Sequence, residues 1–571
     1  MVLLMFQLSR LAASVLCGSA LLLGATTAWA DGYAGPYLAG RAAAGERDYR
    51  AAGTYFHEAL SHDPGNAQLQ EFALLSDIGR GEFDAALKVA QAMQREGQDS
   101  QLADLLLLVD MIGRKDWAAV KADVQGGPKI SPLIDGLAGA WAEFGLGRMS
   151  DAQAAFDKVA GNEPLKAFAL YHKALALAAA GDFEGAQAIL GGETGRVVSI
   201  TRRGVVAQVE VLSQLDRDAD AIALIDSTFQ GDPEMDGFRA RLEAGETLPF
   251  DVVRSASDGM AEAFHGVAGV LANGGGEDGF TLVYARMAEH LRPDFTEAIL
   301  MVAGILEKQG QYDLATVAYN RIPRNDPAFH VAEMGRASAL YDGGRTEAAL
   351  EAMEQLAKSS PDVLSVQVAY GDMLRRQEKF AEAAQSYDRA ISLLGTPGPQ
   401  HWPLFFARGI AFERSGQWPK AEADFRKALE LSPDQPAVLN YLGYSYVERH
   451  EHLDEALAMI QRAVDARPDD GAITDSLGWA LFRLGRYDEA VGHLERAAEL
   501  MPVDPVVNDH LGDVFWAVGR KLEADFQWRR ALSFNPEKDE AARIRKKLSL
   551  GLDAVLKEEG APPIVRTGGA D

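Results

Sequence analysis

Apolar and small residues recur along most of the chain at helical spacing, in segments that come in pairs. Between 475 and 502, Gly478 and Leu481 share one face of a first helix. Gly485 ends that helix, as glycine does at helix C-termini, and Ala490 then lies on the inner face of a second helix. The pattern predicts an all-α fold assembled from pairs of short helices.

The pairs repeat about every 34 residues. Prolines follow successive pairs at intervals of 34 or 35 residues, at Pro293, Pro327 and Pro361 and then at Pro433, Pro468, Pro502 and Pro536. A glycine stands 24 residues before each of the last two prolines, and alanines follow it at 12 and 19 residues, giving Gly478, Ala490 and Ala497, then Gly512, Ala524 and Ala531. Segments 475–502 and 509–536 therefore align without a gap, which indicates a repeat architecture.

The small residues at these positions have a packing reason. Gly478 and Ala490 stand where the two helices of a pair approach each other closely, and a larger side chain would force them apart. Pro502 cannot extend the second helix and turns the chain into the next pair. Because one pair cannot bury its apolar face alone, stacked neighbours must supply the core.

Other parts of the chain carry the same signature with varying strength. It is clear at Gly409 and Ala421, at Gly443 and Ala456, and again near the N-terminus at Gly40 and Ala52, and it is weaker between them. Together these positions predict about 12–14 helix pairs.

The period fails between Glu234 and Asp258, where Gly245 and Pro249 interrupt the helical pattern. We therefore expect a degenerate N-terminal superhelix over 31–233, an irregular linker over 234–257, and a C-terminal superhelix over 258–536. One amphipathic helix, over about 539–557, is expected to cap the open end within 537–559. Residues 560–571 are expected to form a flexible tail.

The first thirty residues are typical of a secretory signal peptide. Arg10 precedes an apolar stretch that is shorter than the ~20 residues of a membrane span, and a small-x-small site ends at Ala30. Cleavage is expected between Ala30 and Asp31, after a start at either Met1 or Met5. An exported chain without a lipid anchor or a transmembrane span would be periplasmic in a Gram-negative cell.

Composition and charge exclude several classes. The chain is 47% hydrophobic and 24% charged, which is typical of a globular protein. Its 83 acidic and 56 basic residues give a net charge of −27, which disfavours nucleic acid and anionic membranes as partners. The single cysteine, Cys17, lies within the signal peptide and excludes a disulfide framework. The bulky Leu16 before it argues against lipidation.

Two groups of residues resemble metal sites, but each lacks a residue that metal binding requires. His450 and His452 have no third ligand in register and are interpreted as a solvated turn. Asp216, Asp218 and Asp220 begin like a calcium-binding loop, but the sixth and twelfth residues of that loop are alanine and serine rather than glycine and glutamate. We interpret these aspartates as the turn and first residues of a helix, and we predict no metal.

Candidate cofactor and anion sites are equally weak. Gly274, Gly276 and Gly279 match a dinucleotide pattern but follow a helix rather than a strand. Basic clusters at 529–530 and 543–547 are interpreted as solvated helix faces, with anion contact as the alternative. Because no catalytic motif is present in the sequence, we predict a protein that is not an enzyme and needs no cofactor.

The signature Gly478, Ala490, Ala497 and Pro502 resembles the tetratricopeptide repeat (TPR) family, and the resemblance extends over nearly the whole mature chain. It implies a right-handed α-α superhelical TPR solenoid. It further implies that the first helices line an inner groove, and that the protein acts as a scaffold for protein–protein contacts.

In this family the residues three before, one after and four after the central glycine of a first helix face the groove. In three successive pairs these are Asn440, Tyr444 and Val447, then Asp475, Trp479 and Phe482, then Asp509, Asp513 and Trp516. Their acidic and aromatic character favours an extended or helical partner segment with apolar and basic side chains. Alternatively, the aromatic rings pack between neighbouring first helices.

The runs 440–497 and 508–520 are similar to exported multi-TPR proteins of Gram-negative bacteria, including the lipoprotein adaptor of a carboxyl-terminal-processing protease. That resemblance implies a cell-envelope adaptor that delivers substrates to a periplasmic protease. A component of polysaccharide or outer-membrane assembly and export machinery is the alternative. A hydrolase with an unrecognised site is a third reading.

Overall fold

The computed structural model describes residues 34–192, 201–229, 233–274 and 278–565. Regular structure within these ranges is helical throughout, so the predicted all-α fold is confirmed. Thirteen helix pairs in the described ranges have two members in mutual contact, which agrees with the predicted number. The signal peptide, its cleavage site, Cys17 and Gly276 lie outside the described residues.

The chain divides into two compact units, Met1–Leu314 and Ala315–Asp571. The described helices of the first unit are α1 (Ala34–Gly45), α2 (Tyr49–His62), α3 (Ala67–Arg80), α4 (Phe83–Arg95), α5 (Gln101–Gly113), α6 (Trp117–Gln125), α7 (Pro132–Gly145), α8 (Met149–Ala160), α9 (Lys166–Ala179), α10 (Phe183–Leu190), α11 (Arg202–Gln214), α12 (Asp218–Thr228), α13 (Pro233–Glu243), α14 (Ala256–Asn273), α15 (Asp278–Leu291) and α16 (Thr296–Lys308). The division falls within α17 (Tyr312–Tyr319).

The helices of the second unit continue the paired pattern. They are α18 (Phe329–Asp342), α19 (Thr346–Ser359), α20 (Leu364–Arg376), α21 (Phe380–Leu393), α22 (Trp402–Arg414), α23 (Trp418–Leu431), α24 (Pro436–Arg449), α25 (Leu453–Ala466), α26 (Gly471–Arg483), α27 (Tyr487–Leu500), α28 (Pro505–Ala517), α29 (Lys521–Ser533), α30 (Lys538–Leu550) and α31 (Leu552–Glu558). In each pair from α18 to α29 the even-numbered helix is the first helix.

The signature glycines lie where the two helices of a pair touch. A Cβ added at Gly478 would come within 2.5 Å of the Leu494 side chain, and one at Gly512 within 2.5 Å of the Trp528 ring. The signature alanines facing these contacts are fully buried, namely Ala421, Ala456, Ala490, Ala497, Ala524 and Ala531. The close approach of the helices therefore has no room for a larger side chain at these positions.

The division between the units differs from the sequence-based boundary at 234–257. That segment contains α13 and an extended stretch whose Leu248, Val252 and Val253 are buried within the first unit. α14 then packs on α7 and α9, and α15 packs on α3 and α5. Because α14 and α15 lie against first helices of earlier pairs, the compact first unit extends to Leu314.

A glycine on α14 tests this arrangement. A Cβ at Gly259 would overlap the fully buried indole of Trp141 on α7, so Gly259→Ala is expected to destabilise the first unit by about 1–3 kcal/mol. Gly269→Ala is the matched control, because it lies on the same helix with no atom near its added Cβ. It is expected to be neutral or to stabilise by up to about 1 kcal/mol through helix propensity. Urea unfolding followed by circular dichroism measures both, and equal effects would contradict the packing.

The C-terminal cap also differs from the single helix expected over 539–557. Gly551, with a φ of +83°, separates α30 from α31. Such a backbone conformation is strained for residues with a side chain, so glycine permits the sharp break. Within the expected tail, residues 560–565 are described, and Ile564 packs partly buried against the core of the second unit.

Candidate protein-binding surface

Successive first helices of the second unit contact each other, and α22 contacts α24 through the rings of Phe406 and Tyr441. They therefore form one continuous surface from α18 to α28. We call it the first-helix surface. On α26 its side chains are buried among their neighbours. The Asp475 carboxylate lies 2.9 Å from Nδ1 of His510 on α28, and the Trp479 ring stacks on the same imidazole with centroids 4.0 Å apart.

The other side chains on the α26 surface also pack against neighbouring residues. The Trp479 indole N–H donates to Glu448 of α24 at 2.8 Å, and Phe482 stacks on Trp479 at 4.8 Å. Trp479 and Phe482 are each only 7% exposed. These aromatics therefore pack between neighbouring first helices, which leaves little of them for a partner.

The buried ion pair between His510 and Asp475 predicts a pH-dependent stability. Burial opposes protonation of His510, but the Asp475 carboxylate outweighs it and raises the His510 pKa. A raised pKa means that the stabilisation is present below the unfolded value of about 6.5 and is lost as pH rises through the folded value. The stability advantage of the natural protein over His510→Gln should therefore shrink as the pH rises above about 6.5. Urea midpoints measured at successive pH values check it, and a constant difference would contradict it.

On α28 the chain's own terminal helices supply the basic group expected of a partner. Nζ of Lys547 lies 2.7 Å from carboxylate oxygens of both Asp509 and Asp513. The Lys547 side chain is fully buried, so the interpretation of 543–547 as a solvated face is wrong at this residue. The Trp516 indole N–H donates to Asp553 of α31 at 2.9 Å. The predicted site on α28 is therefore covered by the chain's own helices α30 and α31.

The first-helix surface remains accessible on α24. Val447 is buried, whereas Asn440 and Tyr444 are half-buried. Oδ1 of Asn440 is enclosed and accepts no hydrogen bond from any described residue. A buried carbonyl oxygen without a donor costs about 1–3 kcal/mol. The accessible part of α24 is therefore the remaining surface of Asn440 and Tyr444.

Sequence reasoning missed the accessible surface of α20 and α22. One, four and five residues after the central glycines Gly371 and Gly409 stand half-buried or exposed side chains, namely Asp372, Arg375 and Arg376 on α20 and Ile410, Glu413 and Arg414 on α22. Three residues before them stand the half-buried Val368 and Phe406. The offsets used for the later pairs would have found all of them except Arg376 and Arg414, which stand five residues after the glycine.

The arginines on this surface are only lightly paired. Arg376 pairs only distantly with the Asp342 carboxylate, at 4.0 Å. Arg414 lies over the Phe380 ring at 4.7 Å and has no ion pair with a described residue. Arg375 donates to the Tyr387 phenol at 3.3 Å and lies 3.4 Å from Asp372. The guanidinium groups on the α20–α22 surface can therefore still donate hydrogen bonds to a partner.

In the first unit the corresponding surface of α11 is occupied by the extended stretch before α14. Glu210 accepts hydrogen bonds from the backbone N–H groups of Asp251 and Val252, at 2.9 and 3.2 Å. Ser213 Oγ accepts from the Leu248 N–H at 2.9 Å, and Gln214 donates to the Leu248 carbonyl. These side chains hold residues 248–252 by their main chain.

A buried ion-pair network fixes the same region. Arg203 of α11 donates to Glu262 of α14 at 2.9 Å and to Glu297 of α16 at 2.8 Å. Burial raises the pKa of Glu262, but the Arg203 guanidinium outweighs it and lowers that pKa overall. Burial raises the pKa of Glu210 to about 7, although two backbone N–H groups oppose the shift. The first-unit surface is therefore an internal core rather than an open groove.

The candidate metal and cofactor motifs take ordinary structural roles where they are described. Nε2 of His450 bonds Arg483 at 2.7 Å. Asp216 lies in the turn before α12, and Asp218 and Asp220 lie in its first turn. Gly274 follows the end of α14. None of the helices in the described ranges is both long and apolar enough to cross a membrane.

Comparison with known proteins agrees with the repeat geometry. The tetratricopeptide repeat family model matches residues 137–190, 334–400, 406–470 and 446–505. A TPR repeat-containing protein of Pseudomonas aeruginosa is 27% identical over 165 residues, 29% of this chain and 27% of that protein. Tetratricopeptide repeat protein 13 of Homo sapiens is 28% identical over 192 residues, 33% of this chain and 22% of that protein. The chain thus spans about a quarter of the length of these relatives.

Solved structures with paired helices are also similar. The APC/C hetero-tetramer Cut9-Hcn1 covers 92% of this chain and 97% of its own, with 14% identity and a TM-score of 0.38. YrrB, described as a TPR protein with an unusual peptide-binding site, covers 34% of this chain and 99% of its own, with 19% identity and a TM-score of 0.28. With its helix pairs, its signature residues and the matched family model, the chain belongs to the tetratricopeptide repeat family.

Proposed function

We propose that this protein is a non-enzymatic scaffold of the cell envelope that binds partner proteins on the first-helix surface of its second unit. The observation that carries the proposal is the contrast between surfaces. On α11, α26 and α28 the equivalent positions are covered by the chain itself, whereas α20, α22 and α24 keep half-buried apolar side chains beside exposed polar ones. A surface of that kind is typical of a protein-binding site.

The envelope location is part of the proposal and rests on the N-terminal thirty residues. Their charged, apolar and small-x-small pattern is that of a secretory signal peptide. The similarity of 440–497 and 508–520 to exported multi-TPR adaptors further suggests that the bound partners are an envelope protease and its substrates.

Affinity capture with a matched variant tests this function. The mature protein and Ile410→Asp are each used to capture proteins from envelope extracts, and the recovered proteins are identified by mass spectrometry. We expect the mature protein to capture a protease and a cell-wall hydrolase, and we expect Ile410→Asp to lose both. Recovery of glycan alone would favour polysaccharide assembly instead, and substrate turnover by the isolated protein would contradict a purely binding role.

A control variant separates the position of the added charge from the charge itself. Gln385 is exposed on α21, the second helix of its pair, so Gln385→Asp introduces the same charge away from the first-helix surface. It should capture the same partners as the natural protein. If it loses them as Ile410→Asp does, the site is not on the first-helix surface.

A further inference from the structure

The last pair of long helices exposes two large apolar side chains where the preceding pairs do not. Leu522 and Phe526 lie one turn apart on α29 and are 89% and 63% exposed. The corresponding positions of α23, α25 and α27, at intervals of 34 or 35 residues, are also exposed but hold small, acidic or proline residues, namely Pro419 and Ala423, Asp454 and Ala458, and Asp488 and Gly492. Because the repeat exposes these positions in all four pairs, its packing does not require Leu522 or Phe526 to be apolar.

A third exposed apolar side chain lies close to Leu522. Leu550 ends α30 and is 56% exposed. Lys521, the residue before Leu522, has its Nζ 4.3 Å from the Trp516 ring centroid. A Cβ added at Gly551, the residue after Leu550, would lie 2.6 Å from an atom of the same ring. We call Leu522, Phe526 and Leu550 the terminal apolar patch.

The C-terminal end differs in the sign of its charge from the rest of the chain. Residues 520–571 carry 11 basic and 9 acidic residues, a net charge of +2, whereas residues 1–519 carry a net charge of −29. Salt screens interactions between exposed charges that are more than about 8 Å apart. The net charge that disfavours anionic membranes for the chain as a whole therefore does not apply at this end.

Cations beside the terminal apolar patch are available to an anionic surface. Lys521 and Arg545 are exposed, and neither forms an ion pair with a described residue. Of the nearby carboxylates, Asp553 accepts the Trp516 indole N–H. Three others are already paired with basic groups at 2.6 to 2.9 Å, namely Glu523 with Arg520, Asp525 with Arg529, and Glu558 with Lys546.

We propose that the terminal apolar patch binds an anionic lipid surface. Leu522 and Phe526 insert at the level of the headgroups, and Lys521 and Arg545 face the lipid phosphates. Side chains as exposed as these protrude from the protein, and a fluid lipid interface receives them without a matching pocket. The basic residues add electrostatic attraction to anionic lipids. This contact uses none of the residues of α20, α22 and α24 on which the proposed function depends.

A second copy of this chain would complement the terminal apolar patch less well. A symmetric contact places the same surface of both copies in one interface, so the unpaired Lys521 and Arg545 would meet cations of equal charge. It would also bring together two chains that each carry −29 outside this end. A layer of lipid phosphates instead supplies the opposite charge.

Sedimentation with lipid vesicles tests the proposal on the mature protein, residues 31–571. We expect it to bind vesicles of phosphatidylethanolamine and phosphatidylglycerol, and to bind phosphatidylcholine vesicles much more weakly. Leu522→Ser/Phe526→Ser should lower the affinity for the anionic vesicles at least about tenfold. Val331→Ser/Leu393→Ser is the matched control, because it removes two apolar side chains that are 44% and 37% exposed on α18 and α21, and it should bind as the natural protein does. Equal binding by all three proteins, or no binding to the anionic vesicles, would overturn the proposal.

Two more measurements separate the effects of charge and insertion. Lys521→Gln/Arg545→Gln should weaken binding to the anionic vesicles severalfold, and its difference from the natural protein should shrink in high salt. A polarity-sensitive fluorophore attached to Ser549→Cys, beside Leu550, should shift its emission to shorter wavelength on binding. The mature chain contains no other cysteine, because Cys17 precedes residue 31. A label that reports water while the protein is bound would contradict insertion.

The remaining outcomes distinguish this contact from protein binding. If mass photometry without lipid shows a dimer of the natural protein and a monomer of Leu522→Ser/Phe526→Ser, the patch joins two copies and the proposal is wrong. Ile410→Asp should bind vesicles as the natural protein does, and an equal loss in that variant would place the lipid contact elsewhere and overturn the proposal. If partner capture fails while vesicle binding depends on Leu522 and Phe526, the proposed function fails and the lipid contact stands.

Discussion

Arg203→Leu is expected to destabilise the first unit by about 3–5 kcal/mol, the cost of leaving a buried charge without its partner. Arg203 is 13% exposed and its partner Glu262 only 3%. The substitution would leave the buried Glu262 carboxylate with the Tyr171 hydroxyl, 3.0 Å away, as its remaining hydrogen-bond donor among the described residues. Hydrogen exchange measured by mass spectrometry in increasing urea should show early unfolding in peptides from α11 and α14.

The double variant Arg203→Leu/Glu262→Leu is the control for that prediction. Removing both charges eliminates the unpaired carboxylate and should recover much of the lost stability. Arg217→Leu, which breaks an exposed pair with Asp220, should change little. If the double variant is as unstable as the single one, the loss comes from packing and the ion-pair account is wrong.

Lys547→Met is expected to destabilise the C-terminal end of the second unit by a similar amount, about 3–5 kcal/mol. Its ammonium lies 2.7 Å from both Asp509 and Asp513, and Asp513 is only 1% exposed. Arg543 stands farther from the same two carboxylates, at 3.7 and 3.6 Å, so it compensates only in part. We expect α30 and α31 to lose protection against hydrogen exchange while α20 and α22 keep theirs.

Lys546→Met supplies the matched control. Lys546 is the neighbouring residue, but it is 58% exposed and pairs with an exposed glutamate on α31. Its substitution removes the same charge from the same helix and should leave protection of α30 and α31 nearly unchanged. Equal effects of the two variants would mean that net charge, rather than the buried contact, secures the terminal helices.

The repeat architecture could be predicted from the sequence because its determinants recur at a fixed period. Gly478 and Gly512 must be small because a Cβ at either position would lie 2.5 Å from the facing side chain, and a small residue recurs at this position in most of the pairs. The positions of the groove-facing side chains follow from their spacing to the central glycine of each first helix. That spacing identified Asn440 and Tyr444, which lie half-buried on the first-helix surface.

The occupied surfaces could not be predicted in this way, because their contacts join distant segments once and leave no periodic trace. Leu248 and Val252 lie in an irregular stretch whose partners on α11 stand 35 to 42 residues earlier. The pairing of Lys547 with Asp513 joins a basic cluster to an acidic surface 34 residues away. The opposite charges of Lys547 and Asp513 were visible in the sequence, but nothing in the spacing showed that the two residues would meet.

Site-specific photo-crosslinking in living cells tests the central claim, which is that partners bind on the accessible first-helix surface of the second unit. A benzophenone side chain is placed at Ile410 on α22 or at Gln385 on the second helix α21, and adducts are resolved by mass. The account predicts a discrete partner adduct from position 410 and none from position 385. No adduct from position 410 in the folded protein, or the same adduct from both positions, would contradict it.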